Sequence, residues 1–218
     1  MSTMQFNNTK HFDDFYNSFK LAEPSPFSKF ISETLITNKI SVVELGCGNG
    51  RDGSLLMERA KKYIGIDRSS EAIKQAVKLF NKSTVKAPFE PTLLACDIVD
   101  FDFARHSDAS TLIYSRFFLH SISAKYEKIM FQQFLKNTQR GTIFAFECRT
   151  IYDDLYGKGE KLGLNTFKTD HVRRFINPIN FYNKLIKNFN VIDFKIGDNF
   201  AKHLEMNPIV MRIIFTKK

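Results

Sequence analysis

The chain has 218 residues, 43% hydrophobic and 25% charged, with 23 phenylalanines, no tryptophan and a formal charge of +9. That length suits one domain burying about 70% of its unfolded surface, and no run reaches the roughly 18 uncharged apolar residues of a membrane span. Three cysteines without C-x-x-C spacing argue for reduced thiols and against a zinc site. The first eight residues lack the basic and apolar regions of a signal peptide, so a cytoplasmic location is expected. The charge is uneven: from His171 to Lys218, nine Lys/Arg stand against three Asp/Glu. Such a surplus favours an anionic partner, whether a nucleotide, a phosphorylated small molecule or RNA, although a solvated lysine-rich face would produce it equally.

Phe12, Phe15, Tyr16 and Phe19 recur at i, i+3, i+4 and i+7, which predicts an amphipathic first helix. Pro24-Ser25-Pro26 interrupts it, and Ser25 can cap a second helix over 27–37 with Pro26 in its first turn. Strands at about 40–45 and 62–67 flank a helix at 51–61, and Ser69 or Ser70 caps another from Glu71 to about Phe80. After a break at 82–91, strand three is expected at 92–96, strand four at 111–115, a helix at 123–136 and strand five at 141–148. The stretch 150–177 reads as a loop. A helix at about 178–188 and two β-rich runs, 191–196 and 208–216, close the chain as an antiparallel hairpin. This α/β alternation implies a largely parallel sheet with helices on both faces. The single domain 1–218 divides into a helical cover (1–38), a binding core (39–148), a substrate lid or loop (149–177) and a C-terminal helix with β-hairpin (178–218).

The stretch Ser-Val-Val-Glu-Leu-Gly-Cys-Gly-Asn-Gly at 41–50 is the most informative. Val42 and Val43 suit a buried parallel strand, and the glycines allow backbone angles and close approaches that a Cβ forbids. Glu44-Leu45-Gly46-Cys47-Gly48-Asn49-Gly50 resembles motif I of the class I S-adenosylmethionine-dependent methyltransferases, acid-x-Gly-x-Gly-x-Gly. The alternative is a dehydrogenase loop, since Gly48 to Gly53 fits G-x-G-x-x-G. Two features speak against that. Glu44, two places before Gly46, suits a cofactor with an ammonium group, and the only Tyr-x-x-x-Lys, Tyr16 to Lys20, precedes the first strand. The resemblance implies a Rossmann-like, mostly parallel seven-stranded sheet with an antiparallel C-terminal strand. It also implies S-adenosylmethionine as cofactor and S-adenosylhomocysteine as product; the acids are all assigned to cofactor or caps and no cluster of ligands is visible, so no metal is expected.

In open α/β sheets, ligands bind at the carboxyl ends of the strands near the switch point. Gly46 and Gly48 would pass the methionine part of the cofactor, with Cys47 and Gly50 in the same loop. Asp67, about 20 residues on, would accept both ribose hydroxyls, with Arg68 beside it. The resemblance puts Asp97 on the adenine amino group, Ile98 on the ring, and Ser115 and Arg116 beside the methionyl carboxylate or the reacting centre. A narrower resemblance links Pro24–Phe27, Tyr114–His120 and Glu147-Cys148-Arg149 to small bacterial methyltransferases associated with surface-polysaccharide pathways, including capsule O-methyl phosphoramidate.

Strand four is followed by Tyr114-Ser-Arg-Phe-Phe rather than the Asn/Asp-Pro-Pro-Tyr/Phe of base N-methylation, and no cysteine follows proline as cytosine C5 methylation requires. No RNA-binding module or aromatic–basic platform is evident, which argues against a nucleic-acid substrate. The expected acceptor is therefore a small anion: a nucleotide-linked sugar, sugar phosphate or phosphoramidate. It would be held by Tyr16, Arg149, Tyr156, His171, Arg173 and Arg174, with charge-assisted forks from the arginines. His120 and Arg116 are the catalytic candidates, His120 as general base for a hydroxyl acceptor. An oxyanion acceptor would need no base. A monomer or homodimer without a membrane partner is expected, and the rival class is a silent cofactor-binding interaction protein.

Overall fold

The computed structural model describes residues 6, 8–18, 23–82, 87, 89–202 and 206–218. Two helices come first, α1 (Thr9–Ser18) and α2 (Pro26–Thr34); the expected helix residue Phe19 lies outside the described residues. Ser25 caps α2, its hydroxyl accepting the Ser28 N–H at 3.1 Å. The helix stops at Thr34 rather than Thr37 because the Leu35 and Ile36 amides both return to the Ile31 carbonyl, turning Ile36 into the core.

The core follows as β1 (Ser41–Leu45), α3 (Gly53–Arg59), β2 (Lys62–Asp67), α4 (Ser70–Lys82), β3 (Thr92–Ala95), α5 (Phe103–His106), β4 (Thr111–Arg116), α6 (Ala124–Asn137) and β5 (Ile143–Arg149). The short α5, capped by Asp102, has no helical period to betray it in the sequence. Next come β6 (Glu160–Gly163), β7 (Thr166–Lys168) and β8 (Val172–Arg174), then α7 (Pro178–Leu185), β9 (Phe189–Gly197) and β10 (Val210–Lys217).

The main sheet has the order β3-β2-β1-β4-β5-β10-β9. β3 through β5 pair in parallel, and β10 lies antiparallel to both β5 and β9. This is the expected Rossmann-like seven-stranded arrangement. Its strand order reverses between β1 and β4, the switch point at which such sheets open a crevice beyond their carboxyl ends.

Strand alternation sends side chains to two cores. On one face Phe144, Phe146 and Phe215 meet Phe134 of α6; the Phe144 and Phe215 rings stack at 4.8 Å. On the other, Val42, Tyr63 and Tyr114 pack under Phe27 and Ile31 of α2. The phenylalanine-rich composition thus goes into the first face, where edge and stacked ring contacts add to area burial.

The stretch from 149 to 177 is not the loop expected. It folds into a three-stranded antiparallel sheet, β6-β7-β8, turning at Asn165 with φ of 55°. Strands of three or four residues are too short to show a period in sequence.

Asp52 joins three parts of the chain. Its carboxylate accepts the Ser25 amide and hydroxyl, each at 2.8 Å, and the Tyr114 hydroxyl at 2.8 Å. Burial opposes its charge, but the guanidinium groups of Arg51 and Arg116 and the Ser25 bonds hold its pKa below the usual carboxylate range. The cover, the glycine loop and β4 are therefore tied at one ionised carboxylate. Tyr114→Phe should lower stability by about 1.5–3 kcal/mol, the worth of a buried hydrogen bond to a charged group. Urea unfolding measures it, and an unchanged midpoint would remove this tie from the account.

Candidate active site

Beyond the carboxyl ends of β1, β2 and β4 lies a cavity of about 540 Å³, within the roughly 300–1,000 Å³ of small-molecule sites. The glycine loop forms its floor. Gly46 and Gly48 take left-handed φ angles of 68° and 56°. A Cβ on Gly46 would press on Phe118 at 2.7 Å, and one on Gly48 would fall on the Tyr16 hydroxyl. Gly50 instead faces Ala76 and Phe80 of α4, which makes it a packing glycine rather than a ligand-facing one.

Asp67 fixes this loop. Its Oδ2 accepts the Gly48 N–H at 2.9 Å and its Oδ1 the Ser69 N–H at 2.8 Å. Each oxygen keeps a lone pair, and the carboxylate lines the cavity, so a pair of vicinal hydroxyls has two acceptors waiting. Burial raises the Asp67 pKa, with the two backbone N–H groups pulling against it. Cys96, Asp97, Ile98 and Arg68 continue this wall. Asp97 Oδ1 also accepts the Val99 amide, and Arg68 Nη1 stands 3.9 Å from Asp97 Oδ2.

Glu44 and Cys47 line the middle of the cavity. Glu44 accepts the Tyr63 hydroxyl at 2.6 Å; burial, then the Asp52 charge, raise its pKa well above the ordinary value. Cys47 and Cys96 are raised by burial and stay thiols. Asn49 is 5% exposed, lines the cavity, and its Nδ2 has no hydrogen-bond partner among the described residues. A buried amide left unpaired costs free energy, so this atom calls for a ligand acceptor. Glycine cradle, free carboxylate lone pairs and orphaned amide together fit S-adenosylmethionine.

The opposite wall is cationic. Arg116 Nε donates to Glu147 Oε1 at 2.8 Å, and Arg212 Nε to Glu147 Oε2 at 2.7 Å. Arg149 reaches Asp153 through Nη1 alone, at 2.8 and 2.9 Å. Phe117, held at φ of 55°, lies 4.1 Å from the Arg116 guanidinium carbon and 5.6 Å from that of Arg149. A bulky residue in the left-handed region is strained; here it places one ring under both cations.

Several sequence expectations change. His120 lines the cavity and is 5% exposed, but its Nδ1 accepts the Arg149 backbone N–H at 3.5 Å. With that contact the neutral ring carries its proton on Nε2, which leaves Nδ1 occupied and Nε2 a donor rather than a base. Burial, followed by the charges of Arg149 and Arg173, pushes its pKa well below 6.5, which further unsuits it as the general base. Arg174 turns away from the cavity to the Leu119 and Ile122 carbonyls and to Glu127 at 2.5 Å. Tyr156 donates to Asn165 and packs on Phe167 and Phe175 in the small sheet, outside the cavity wall. Ser115 is buried within the sheet and does not line the cavity. Tyr16 lines it, but over Gly48 on the cofactor side. Arg116, Arg149, His171 and Arg173 all line the cavity.

Sequence reading missed Asn49, Arg51 and Asp52, which pass as loop filler or helix start, and Phe117, whose strain has no signature in residue type. It did single out Pro24–Phe27, Tyr114–His120 and Glu147–Arg149, and these meet in space. Phe27 stacks on Tyr114 at 5.3 Å, Ser25 and Tyr114 share Asp52, Arg116 pairs with Glu147, and the Arg149 amide reaches His120.

A fold of this order with a glycine loop and ribose-type carboxylate at its switch point defines a class I, S-adenosylmethionine-dependent methyltransferase. Comparison with known families agrees: residues 36–160, more than half of the chain, match the model described as a methyltransferase domain, and the chain belongs to that family. Solved structures share the fold. A methyltransferase from Methanosarcina mazei matches with a TM-score of 0.69 at 16% identity, covering 86% of this chain and 96% of that one. One from Anabaena variabilis gives 0.68 at 15%, covering 96% and 93%. A glycopeptide N-methyltransferase complexed with S-adenosylhomocysteine gives 0.66 at 11%, covering 98% and 100%. Among curated proteins none matches in sequence.

The depressed His120 pKa makes stability pH-dependent. Below about pH 6.5 the unfolded chain protonates this histidine while the folded chain does not. Acidification from pH 7 to pH 5 therefore removes stability, with a slope approaching about 1.4 kcal/mol per pH unit from this group. His120→Gln, which keeps an acceptor for Arg149, should flatten the slope in denaturant titrations at the two pH values. An unchanged slope would mean that His120 is protonated in the fold.

Proposed function

We propose that this methyltransferase transfers the methyl group to a small anionic acceptor bound against the Arg116–Phe117–Arg149 wall. One observation supports the reading above others. Around Glu147 and Asp52, three guanidinium groups (Arg51, Arg116 and Arg212) stand against two carboxylates. The surplus positive charge is largely, though not fully, withdrawn from water beside the cavity, with Arg116 and Arg212 12% and 13% exposed and Arg51 21%, and a charge there without a counter-ion is costly. An anion there removes the cost.

S-adenosylmethionine supplies a methyl group already activated on a sulfonium. The chain's work is alignment and exclusion of water. Asp67, Asn49 and the glycine loop fix one side, and Glu44 offers a carboxyl to an ammonium group. On the acceptor side the Arg116 and Arg149 N–H groups not spent on Glu147 and Asp153 can fork onto an oxyanion, with His120 Nε2–H as a further donor. Such an acceptor oxygen needs no general base, in keeping with the His120 tautomer.

The convergence of Pro24–Phe27, Tyr114–His120 and Glu147–Arg149 on this wall supports the acceptor class to which their resemblance points. That class is a nucleotide-linked sugar, sugar phosphate or phosphoramidate of surface-polysaccharide synthesis, which would place the enzyme in the cytoplasm. A methyl-transfer screen across nucleotide sugars, free sugars, small amines and tRNA tests it. Turnover is expected with the phosphorylated acceptors; turnover confined to neutral amines, hydrophobic molecules or tRNA would refute it. Arg149→Lys, which keeps Asp153 paired but loses the fork, should lower kcat/KM for the acceptor by about tenfold or more with S-adenosylhomocysteine affinity unchanged. Equal loss of both would put Arg149 on the cofactor instead.

A further inference from the structure

The cavity rim holds a cluster of two histidines and a carboxylate at the outer edge of the cationic wall. His11 of α1 and His171, just before β8, come from opposite ends of the chain. Their rings are tilted at 33° to each other, with centroids 4.1 Å apart. Between them stands Asp170: its Oδ2 lies 3.0 Å from His171 Nδ1 and 3.9 Å from His11 Nε2. One donor atom from each residue falls within 4.8 Å of the others, and all three residues line the cavity.

We propose that His11, Asp170 and His171 form a binding site for a divalent transition-metal ion of the zinc type, joining α1 to the small sheet at the cavity mouth. The donor set is two imidazoles and a carboxylate, which leaves a coordination position for water or a ligand in the cavity. Zinc bonded to nitrogen and oxygen at about 2.0–2.1 Å makes tetrahedral edges of about 3.3 Å. The two Asp170 separations bracket that value and the His11–His171 one is at most 4.8 Å, so closing the cluster on an ion takes a shift of His11, on a surface helix.

The surroundings suit ligation. Arg173 Nη1 donates to Asp170 Oδ1 at 2.6 Å and Thr169 Oγ1 donates to the same oxygen at 2.7 Å, with a longer Arg173 bond of 3.2 Å to Oδ2. Carboxylate ligands are ordinarily oriented by such outer hydrogen bonds. Asn8 already bridges the same junction, accepting the Val172 N–H and donating to the Val172 carbonyl at 2.9 Å. A metal would add a second and stronger tie.

Calorimetric titration of chelator-treated protein with zinc chloride tests the site without reference to activity. One equivalent is expected to bind in the micromolar range or tighter, with a rise in Tm. His11→Ala, a half-buried position on a surface helix, should weaken binding at least tenfold while leaving the zinc-free Tm and circular dichroism as in the parent chain. Cobalt chloride should give a visible d–d band with the parent chain and lose it with His11→Ala and with His171→Gln, the latter keeping a polar group at the buried position. Absence of stoichiometric zinc binding overturns the proposal. So does parent-like binding by His11→Ala, which would place the ion on other histidines or on the thiols.

Discussion

The carboxylate of Asp67 is the constraint on which the cofactor half of this molecule depends. Two backbone N–H groups reach it, one from the glycine loop after β1 and one from the start of α4. Those bonds hold Gly48 in a left-handed conformation that gives the chain room to pass under Tyr16. The parallel pairing of β1 with β2 brings the two strand ends level, and Gly46 and Cys47 both donate to the Ile66 carbonyl. Sheet register, loop shape and ligand-facing oxygens are consequently one arrangement.

The cationic wall opposite rests on a different economy of charge. Glu147 is buried between two guanidinium groups, and Arg149 is buried with Asp153. Buried ion pairs of this kind add little net stability but fix geometry. Here they fix which N–H groups are consumed and which face the cavity. The strained Phe117 belongs to the same device, since its ring spaces the two cations.

The α/β core was legible because each cue acts locally. Paired valines in the first strand, the acid at Glu44, glycines at alternate positions and the serines before Pro26 and Glu71 act within a few residues, and a largely parallel sheet follows from the alternation of strand and helix. The small sheet between β5 and α7 was not, because its strands are shorter than the window in which a period can be seen. That Asp67, Asp97 and Arg149 would line a cavity could be read, because side chains at or just past the strand ends face the crevice at a switch point. The contact of His120 Nδ1 with the Arg149 backbone amide could not be read, since it forms only when β5 is paired beside β4. Nor could the meeting of His11 with His171, which lie far apart in sequence and come together only through the packing of α1.

The claim that Asp67 anchors cofactor and loop together is tested most directly by calorimetric titration of S-adenosylhomocysteine into the parent chain and Asp67→Ala. The account predicts one site in the parent chain and affinity weaker by about 1.5–3 kcal/mol in the variant, the worth of the charge-assisted bonds lost. No heat with S-adenosylhomocysteine together with tight NAD(H) binding, or equal affinity in both proteins, would contradict it.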